Sequence, residues 1–338
     1  MKKKNGIAKI MGTKGAGTVV TAFVGLIIIY VAFGILNPKV FSPLNIQNLL
    51  RSMSKYLLIG VGQSFVMITG NIDLSIGSVV GMSAMISATL MTKGVNPIVA
   101  ILITIICGLV VGIINGQLVG KFKLPPFIAT LGTMFIARGI AYIVNNNRNT
   151  DNIASGIGKD AGDAFQNIFY YGKTAGIFNT FWIALIIFII FFFVLSKTRS
   201  GRHIYAIGSN VDAARLSGVD VVKTTTKAYI VSAFCSTVVG FILCAQAGMG
   251  NMDAGNMYEM YGVAAGVIGG VSPLGGAGIL LGTFAGAGVW QTLENGLNLI
   301  HAQVGFQRII IGVIVVGAVL LDVVIRNGNG SFKRRKNK

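Results

Sequence analysis

One acidic residue, Asp73, stands in the polar stretch GNIDLSIGS (70–78) between two apolar runs. The chain contains only ten Asp and Glu residues among 338, so a carboxylate in this position requires a physical reason. A carboxylate just ahead of a helix can accept hydrogen bonds from free backbone N–H groups and complement the helix dipole. We expect Asp73 to cap the helix that follows. A role for this polar turn in lining or gating a solute route stays open beside the cap.

Residues that could perform covalent or metal chemistry are scarce. The G-x-x-x-x-G-K-[ST] loop that cradles ATP phosphates does not occur, so the chain is not expected to bind ATP itself. His203 and His301 are too few and too far apart for a metal site, and no Ser/His/Asp or paired-carboxylate arrangement is present. The three cysteines, Cys107, Cys235 and Cys244, lie inside apolar runs and are expected to be core residues. The sequence therefore predicts no catalytic residue, no metal and no cofactor bound by this chain.

The composition indicates a membrane protein. Hydrophobic residues make up 53% of the chain and charged residues only 11%, whereas soluble domains carry about 25% charged residues. So little charge cannot cover a water-facing surface, and lipid is the expected surrounding. The formal charge of +18 could favour nucleic acid or an anionic membrane, and its distribution along the chain decides between them.

Ten apolar runs could cross the bilayer, whose hydrocarbon core needs about 20 helical residues. They are 18–36, 56–69, 75–91, 97–119, 126–143, 180–196, 227–247, 259–272, 277–293 and 306–325. The runs at 56–69 and 259–272 are short for a full span, and we expect them to be tilted, broken or shielded by protein. The fold class predicted is an all-α polytopic membrane protein of about ten transmembrane helices, covering 18–325.

The basic residues predict the orientation of this domain. With ten spans and an internal N-terminus, most of the 28 Lys and Arg residues fall on one side. They lie in a tail at 1–17, at 121–123, in a loop at 197–227 and in a tail at 326–338. Positive residues favour the cytoplasmic side, so both termini are expected there. The polar segment 145–179 is expected outside, as an exposed loop with one short helix. The basic excess is thus a topology signal and does not indicate nucleic-acid binding.

Two small motifs recur along the chain at one common offset. Gly70-Asn71-x-Asp73 recurs as Gly250-Asn251-x-Asp253, and Asn115-Gly116 recurs as Asn295-Gly296. Five spans per half would place the two halves in opposite orientations, and such inverted pseudo-repeats are typical of transporters. The alternative is a shared preference of Gly and Asn for helix ends.

The cytoplasmic loop 197–227 contains one short predicted helix, Val211 to Ser217. Ser209 or Asn210 supplies the N-cap, Asp212 lies in the first turn, and Gly218 ends the helix in a left-handed conformation. Two turns are marginal alone, so flanking spans or a partner should hold them. The predicted apolar surface comprises Ala213, Ala214 and Leu216, ringed by Arg202, Arg215 and Lys223. A solvated basic loop is the alternative.

Four ordered segments resemble one known family. They are GNIDLSIGSVVG (70–81), LPPFIATLGTMFIARGI (124–140), YAIGSNVDAARLSGV (205–219) and MYEMYGVAAGVIGGVSPLGGAG (257–278). Together they resemble the membrane-spanning permease subunits of bacterial sugar ABC importers, in the ribose/galactose branch. Tyr261 stands where that family usually has an acidic residue, which leaves Glu259 as the carboxylate of the last segment.

The resemblance implies a multi-pass protein of the bacterial inner membrane that forms a homodimer. An ATPase subunit, carrying ATP and Mg²⁺, would dock on the cytoplasmic side, and an extracytoplasmic sugar-binding protein on the other. The ATPase-coupling helix would comprise Ser209, Asn210, Asp212, Ala213, Ala214, Arg215, Leu216, Ser217 and Gly218. The substrate would be a galactose, methyl-galactoside or ribose type of sugar, and Met257-Tyr258-Glu259 looks closer to galactoside permeases. A nucleoside or another furanose is the alternative substrate, and an ion-coupled secondary transporter is the alternative class.

A sugar route needs neutral hydrogen-bonding groups rather than strong sites that would trap the solute. The candidate pathway or gate residues are Asn71, Asp73, Ser75, Asn115, Asn251 and Glu259, and Gln63, Gln117, Asn256 and Gln291 extend this set on polarity alone.

Overall fold

A computed structural model describes residues 16–307, 309–310, 312–314, 316–317 and 320 of the chain. The predicted tail 326–338, nearly all of the tail 1–17 and part of the predicted span 306–325 lie outside these residues. The membrane helices in the first half are α1 (Ala16–Leu36), α2 (Pro43–Ile68), α3 (Ile76–Thr92), α4 (Pro97–Gly120) and α5 (Pro126–Ile143), with a 3-10 helix at Pro38–Phe41.

The second half begins with short elements and returns to long helices. The short elements are α6 (Ala154–Ile157), α7 (Lys159–Gln166), a π-helix (Asn167–Tyr171), and the antiparallel pair β1 (Lys173–Thr174) and β2 (Ile177–Phe178). The remaining helices are α8 (Asn179–Lys197), α9 (Arg199–Ser209), α10 (Val211–Leu216), α11 (Val221–Ala247), α12 (Tyr258–Ile268) and α13 (Leu280–Leu299). A further apolar helix follows at Val304–Ile314.

The protein is an all-α polytopic membrane protein, as predicted. Within the described residues, five helices are both long and apolar enough to cross a bilayer, namely α1, α4, α5, α8 and α11. Prolines at the first turn start α2, α4 and α5, where their missing N–H costs no intrahelical bond. The proposed inverted repeat stays a prediction, although Gly70–Asp73 and Gly250–Asp253 each precede a helix.

The two runs predicted to be short differ from each other in the structure. The run 56–69 is the second part of α2, whose 26 residues extend about 39 Å, so the helix is longer than the apolar run and the run is shielded by protein, one of the three expected outcomes. Its residues are almost all buried against other helices. The run 259–272 does form a short helix, since α12 has 11 residues and ends before Gly269 and Gly270.

The helix α11 forms the centre of the molecule and packs against α2, α3 and α4. Glycines on α4 allow the closest of these contacts. A Cβ atom added to Gly112 would lie 2.8 Å from the carbonyl oxygen of Tyr229, and one on Gly116 would collide with Thr226. In lipid, close backbone approach of this kind is a main source of helix association. The outer faces of α1, α4, α5 and α8 expose large apolar side chains, as expected for a lipid boundary.

The segment 145–179, which the sequence predicted to be an exposed outer loop with one short helix, contains more regular structure than that. It contains α6, α7, the π-helix and the two-stranded hairpin. The guanidinium of Arg51 lies 4.0 Å from the ring centroid of Phe178, and the ammonium of Lys173 donates to Gln47 at 2.7 Å. The hairpin is stabilised by these contacts with α2, which no local sequence pattern reveals.

The segment 197–227, which the sequence predicted to be a cytoplasmic loop, is likewise mostly helical. The helix α9 occupies Arg199–Ser209, α10 follows after Asn210, and α11 already begins at Val221 instead of near 227. Asp220 caps α11 by accepting the backbone N–H of Lys223 at 2.9 Å. This hydrogen bond, with the adjacent Lys223 side chain, holds the pKa of Asp220 below its ordinary value.

Candidate transport site and coupling segment

Asp73 is buried where α2, α3 and α11 meet. One carboxylate oxygen accepts the backbone N–H of Ser75 at 2.9 Å and the Ser75 hydroxyl at 2.6 Å. The other oxygen accepts the hydroxyl of Ser232 on α11 at 2.7 Å. Asp73 therefore satisfies a backbone N–H, as expected, but the prediction that it is the N-cap residue is wrong. The helix begins at Ile76 and Ser75 occupies the N-cap position, so Asp73 forms a turn ahead of the helix and joins it to α11.

The Ser75 hydroxyl continues this network to two further helices. It accepts the side-chain amide of Asn115 on α4 at 2.9 Å, and the Asn115 carbonyl oxygen accepts the hydroxyl of Thr133 on α5 at 2.6 Å. Asp73, Ser75, Asn115, Thr133 and Ser232 thus form one buried chain, here called the Asp73 network. In a low-dielectric interior, polar groups are stable only when paired in this way.

The structure brings three of the six candidate pathway residues together and separates the others. Asp73, Ser75 and Asn115 share the Asp73 network. Asn71 is half-buried in the preceding turn, where its amide donates to the Thr69 hydroxyl at 2.7 Å. Asn251 is exposed in the loop before α12, at the opposite end of α3 and α11 from the Asp73 network.

Glu259 lies in the first turn of α12 and packs against the start of α3. A Cβ atom added to Gly77 would collide with its carboxylate and with the Gly255 carbonyl. Beside it, the Arg138 guanidinium on α5 donates to the carbonyl oxygens of Met252 at 2.8 Å, Ala254 at 2.9 Å and Gly77 at 3.2 Å. Arg138 therefore fastens the loop 250–257 to α3 and α5.

The short helix α10 matches the sequence prediction closely. It covers Val211–Leu216, one residue less than predicted, and the Asn210 side chain accepts the backbone N–H of Ala213 at 2.9 Å. Of the two predicted caps, Asn210 is therefore the one used. Gly218 follows the helix with φ +82°, the left-handed stop that was predicted. Asp212 and Arg215 form an exposed ion pair at 3.5 Å, which contributes little to stability.

The exposed face of α10 differs from the prediction at one residue. Ala214 is buried against Ile207 of α9 and Val219, so it anchors the helix instead of facing a partner. A helix this short needs such an anchor, because its own hydrogen bonds do not make it stable. Ala213 and Leu216 are exposed as predicted, and the Leu216 side chain is 90% exposed. The outward apolar groups are therefore Leu216 and Val211.

The helix α9 links α10 to two other loops. The Tyr205 hydroxyl donates to the carbonyl oxygen of Gly278 at 2.7 Å, in the loop between α12 and α13. The N–H of Gly276 in the same loop donates to the carbonyl oxygen of Ile68 at the end of α2 at 2.9 Å. A Cβ atom on Gly208 would collide with Ile68 and lie 2.6 Å from the Gly276 nitrogen. The end of α9, the α2–α3 turn and the α12–α13 loop are therefore in direct backbone contact.

A cavity of about 620 Å³ lies between these segments. Its lining includes Asn71, Lys123, Asn210, Asp212 and Arg215. The candidate pathway residue Asn71 and the residues of α10 thus face one shared space.

Several residues of this region were not singled out from the sequence. Thr133, Ser232 and Tyr205 gave no signal because each forms its bond with a residue distant in sequence. Arg138 did give a sequence signal, since it is the charged residue in the predicted span 126–143. A charge within a membrane helix marks a structural or functional contact.

A family model described as the permease component of branched-chain amino acid transport systems matches residues 45–319. The chain belongs to this permease family. The ribose import permease protein RbsC of Bacillus subtilis (strain 168) is 39% identical, with 89% of this chain and 91% of that protein covered. The D-allose transport system permease protein AlsC of Escherichia coli (strain K12) is 35% identical over 89% and 90% of the two chains. The autoinducer 2 import system permease protein LsrC of Salmonella typhi is 29% identical over 90% and 86%.

No solved structure matches this chain significantly. The family membership makes the chain the membrane-spanning permease of an ABC importer, a transporter subunit and not an enzyme. A permease of this kind is a multi-pass inner-membrane protein that works with an ATPase and a substrate-binding protein.

Proposed function

We propose that this permease translocates a ribose-type sugar that an extracytoplasmic binding protein delivers. The observation that carries the proposal is the 39% identity to a ribose import permease across 89% of the chain. The D-allose permease at 35% identity supports the same class of solute. The family model's description names amino acids instead, so the solute has to be measured.

The coupling segment is the second part of the proposal. Two copies of the permease form a dimer, and an ATPase that holds ATP and Mg²⁺ docks on the exposed face of α10. Support comes from the exposed Leu216 and Val211 side chains beside basic Arg215. Because α9 touches the α2–α3 turn and the α12–α13 loop, displacement of α10 would move both loops together.

Both termini and the segment 197–227 lie on the cytoplasmic side in this proposal. Basic residues support that orientation, since Arg199, Arg202, Arg215, Lys223 and Lys227 all fall in this segment. The outer side then carries α6, α7 and the hairpin, together with the loop 250–257 that Arg138 fastens.

The pathway assignment follows from the same arrangement. Asn71 faces the inner cavity, whereas Asp73, Ser75 and Asn115 form the network that fixes the start of α3. We assign Asn71 to the route itself and the Asp73 network to the support of its wall. Glu259 packs on Gly77 at the same start of α3, and Asn251 lies near the opposite, outer end of that helix.

Uptake into proteoliposomes tests the proposal. The permease and its genomically adjacent ATPase are reconstituted with ATP enclosed in the liposome lumen, and the binding protein is added outside. Uptake of labelled D-ribose is then followed. We expect uptake that requires all three proteins and ATP hydrolysis. Uptake by the permease alone that an ionophore abolishes would instead indicate the secondary-transporter alternative.

Competition identifies the solute. Unlabelled D-ribose and D-allose should suppress uptake. Galactose and methyl-galactoside test the galactoside alternative, and nucleosides test the nucleoside alternative. Suppression by leucine or valine, with none by sugars, would contradict the proposed sugar class.

A further inference from the structure

A second cavity, of about 490 Å³, lies at the outer end of the molecule between α2, α11 and the loop before α12. The side chains used below are Lys55, Gln246, Asp253, Asn256 and Tyr258. Its volume lies within the range of about 300–1,000 Å³ that small-molecule sites occupy.

Lys55 is the most unusual group in this wall. It lies in the middle of α2, is half-buried, and has no hydrogen bond or ion pair within 4.0 Å among the described residues. Its ammonium lies 6.0 Å from the ring centroid of Tyr56. An ionisable residue inside a membrane helix is costly and is retained for a pathway or binding role.

Other side chains that line this cavity carry hydrogen-bonding groups that are not used within the described part of the protein. The side chains of Gln246, Asn256 and Tyr258 form no hydrogen bond with any described residue, whereas Asp253 accepts the Tyr142 hydroxyl at 3.3 Å. The lining therefore offers amides, a phenol, one ammonium and one carboxylate. Lys55 and Asp253 carry opposite charges, so these side chains have no net formal charge.

Four aromatic side chains, here called the aromatic group, pack together behind the cavity wall: Tyr56, Tyr258, Tyr261 and Trp290. The Tyr258 ring centroid lies 6.2 Å from that of Tyr56 and 5.6 Å from that of Tyr261, and Trp290 lies 5.0 Å from Tyr261. The Tyr56 hydroxyl donates to the Glu294 carboxylate at 2.7 Å, which fixes the group to α13. Tyr258 thus combines a supported ring face with a free hydroxyl at the cavity.

We propose that this outer cavity is a weak binding site for a neutral polyol, in which Lys55, Asn256 and Tyr258 bind hydroxyl groups and the Tyr258 ring contacts the carbon face. The inference rests on the proposed function, since it deepens the sugar assignment to a named site. Few anchoring groups at a solvent-accessible cavity suit a solute that must leave again, and we expect a dissociation constant of about 1 mM.

The intrinsic fluorescence of the purified full-length chain tests this site. The chain has two tryptophans, and Trp182→Phe leaves Trp290, which belongs to the aromatic group, as the sole reporter. Titration with D-ribose, without binding protein or ATPase, should give a saturable change in Trp290 emission. Lys55→Met and Asn256→Ala, each in this background, should weaken the apparent affinity about tenfold.

Lys93→Met is the matched control, because Lys93 is exposed at the end of α3 and outside the cavity; it should leave the titration unchanged. Asn256 is exposed, so Asn256→Ala should fold even if Lys55→Met does not. The inference is overturned if D-ribose gives no saturable change, if both cavity variants titrate like the control, or if leucine gives the same change. Sugar uptake by the complete importer is measured in parallel. Uptake without a Trp290 response would contradict only the proposed cavity site. Absence of sugar uptake would contradict the proposed function.

Discussion

Asp73 shows how one carboxylate is accommodated between apolar helices. Three donors converge on it, two from Ser75 and one from Ser232, so its burial does not leave an unpaired polar group. Hydrogen bonds to a carboxylate are stronger than bonds between neutral groups, and removing the acceptor leaves several donors unpaired. The residue is thus a junction between the start of α3 and α11.

Substitution of Asp73 should separate hydrogen bonding from charge. Asp73→Leu removes every acceptor and should lower the free energy of unfolding by about 3 kcal/mol, whereas Asp73→Asn keeps one carbonyl oxygen and should cost about 1 kcal/mol. Thermal unfolding of the detergent-solubilised permease measures both. Asp163→Leu, at an exposed position on α7, is the control and should have little effect. If all three variants were as stable as the parent, the proposal that Asp73 joins the start of α3 to α11 would be wrong.

Arg138 should be irreplaceable by lysine. Its guanidinium reaches three carbonyl oxygens at once, whereas one ammonium cannot reproduce that planar geometry. In Arg138→Lys we expect faster backbone amide exchange across residues 250–257, by about tenfold. Hydrogen–deuterium exchange with mass spectrometry measures it, with exposed Arg148→Lys as the matched control. Unchanged protection of this loop in Arg138→Lys would show that other contacts hold it.

At the scale of elements, the sequence predicted the long apolar helices well and the polar ones poorly. The runs 126–143 and 180–196 match α5 and α8 within one residue, because prolines and polar residues mark their ends. The helix α9 escaped prediction, and the short helix expected in 145–179 could not be given bounds from the sequence, because the positions of both depend on packing against the membrane helices. The cap at Asn210 and the stop at Gly218 were predictable, since both act locally.

The hydroxyl of Tyr205 provides a test of the connection through α9. Tyr205→Phe removes only the donor to Gly278, a bond of about 1 kcal/mol, and should lower sugar transported per ATP hydrolysed about fivefold. Uptake and phosphate release in the same proteoliposomes give this ratio. Tyr171→Phe is the control, because it removes a similar bond to the Gln246 carbonyl at the far end of α11. An unchanged ratio in both variants would exclude a coupling role for this bond.

Leu216 tests the docking face of α10. Its side chain is 90% exposed, so Leu216→Gln should leave folding intact while removing apolar contact with the ATPase. We expect at least about tenfold weaker association, a loss of about 1.4 kcal/mol, measured by titration of ATPase onto permease in nanodiscs. Leu44 is an exposed leucine at the start of α2, the end of that helix that lies away from α9 and α10. Leu44→Gln should therefore not change association. Full association of Leu216→Gln would place the ATPase elsewhere.

At the scale of the whole molecule, thiol labelling tests the orientation. After Cys107→Ala, the two remaining native cysteines are buried, so added cysteines report alone. Lys159→Cys should react with a membrane-impermeant maleimide in spheroplasts, whereas Ser217→Cys should react only in inverted vesicles. Both sites are exposed in the structure, which makes them a matched pair. The reverse labelling pattern would invert the proposed topology.

The arrangement of helices around α11 could not be read from the sequence alone. Apolar periodicity identifies membrane helices, but it does not state which helices meet. Ser75 and Asn115 were both candidates, yet their hydrogen bond, and the links onward to Ser232 and Thr133, depend on four elements being brought together. The inner contacts of Gly208 likewise appear only when α2, α9 and the α12–α13 loop are assembled.

The direction of the bonds in the Asp73 network has a consequence for the energetics of the bilayer-embedded state. Thr133 donates to Asn115, Asn115 donates to Ser75, and Ser75 donates to Asp73, so successive dipoles point the same way. Aligned dipoles polarise one another, and reversing one requires its neighbours to reverse as well. The network therefore acts as one aligned chain of hydrogen-bond dipoles whose negative end is the Asp73 carboxylate. In the solute route proposed above, the hydroxyl donors of Thr133, Ser75 and Ser232 are already committed to protein acceptors and are not offered to a passing sugar.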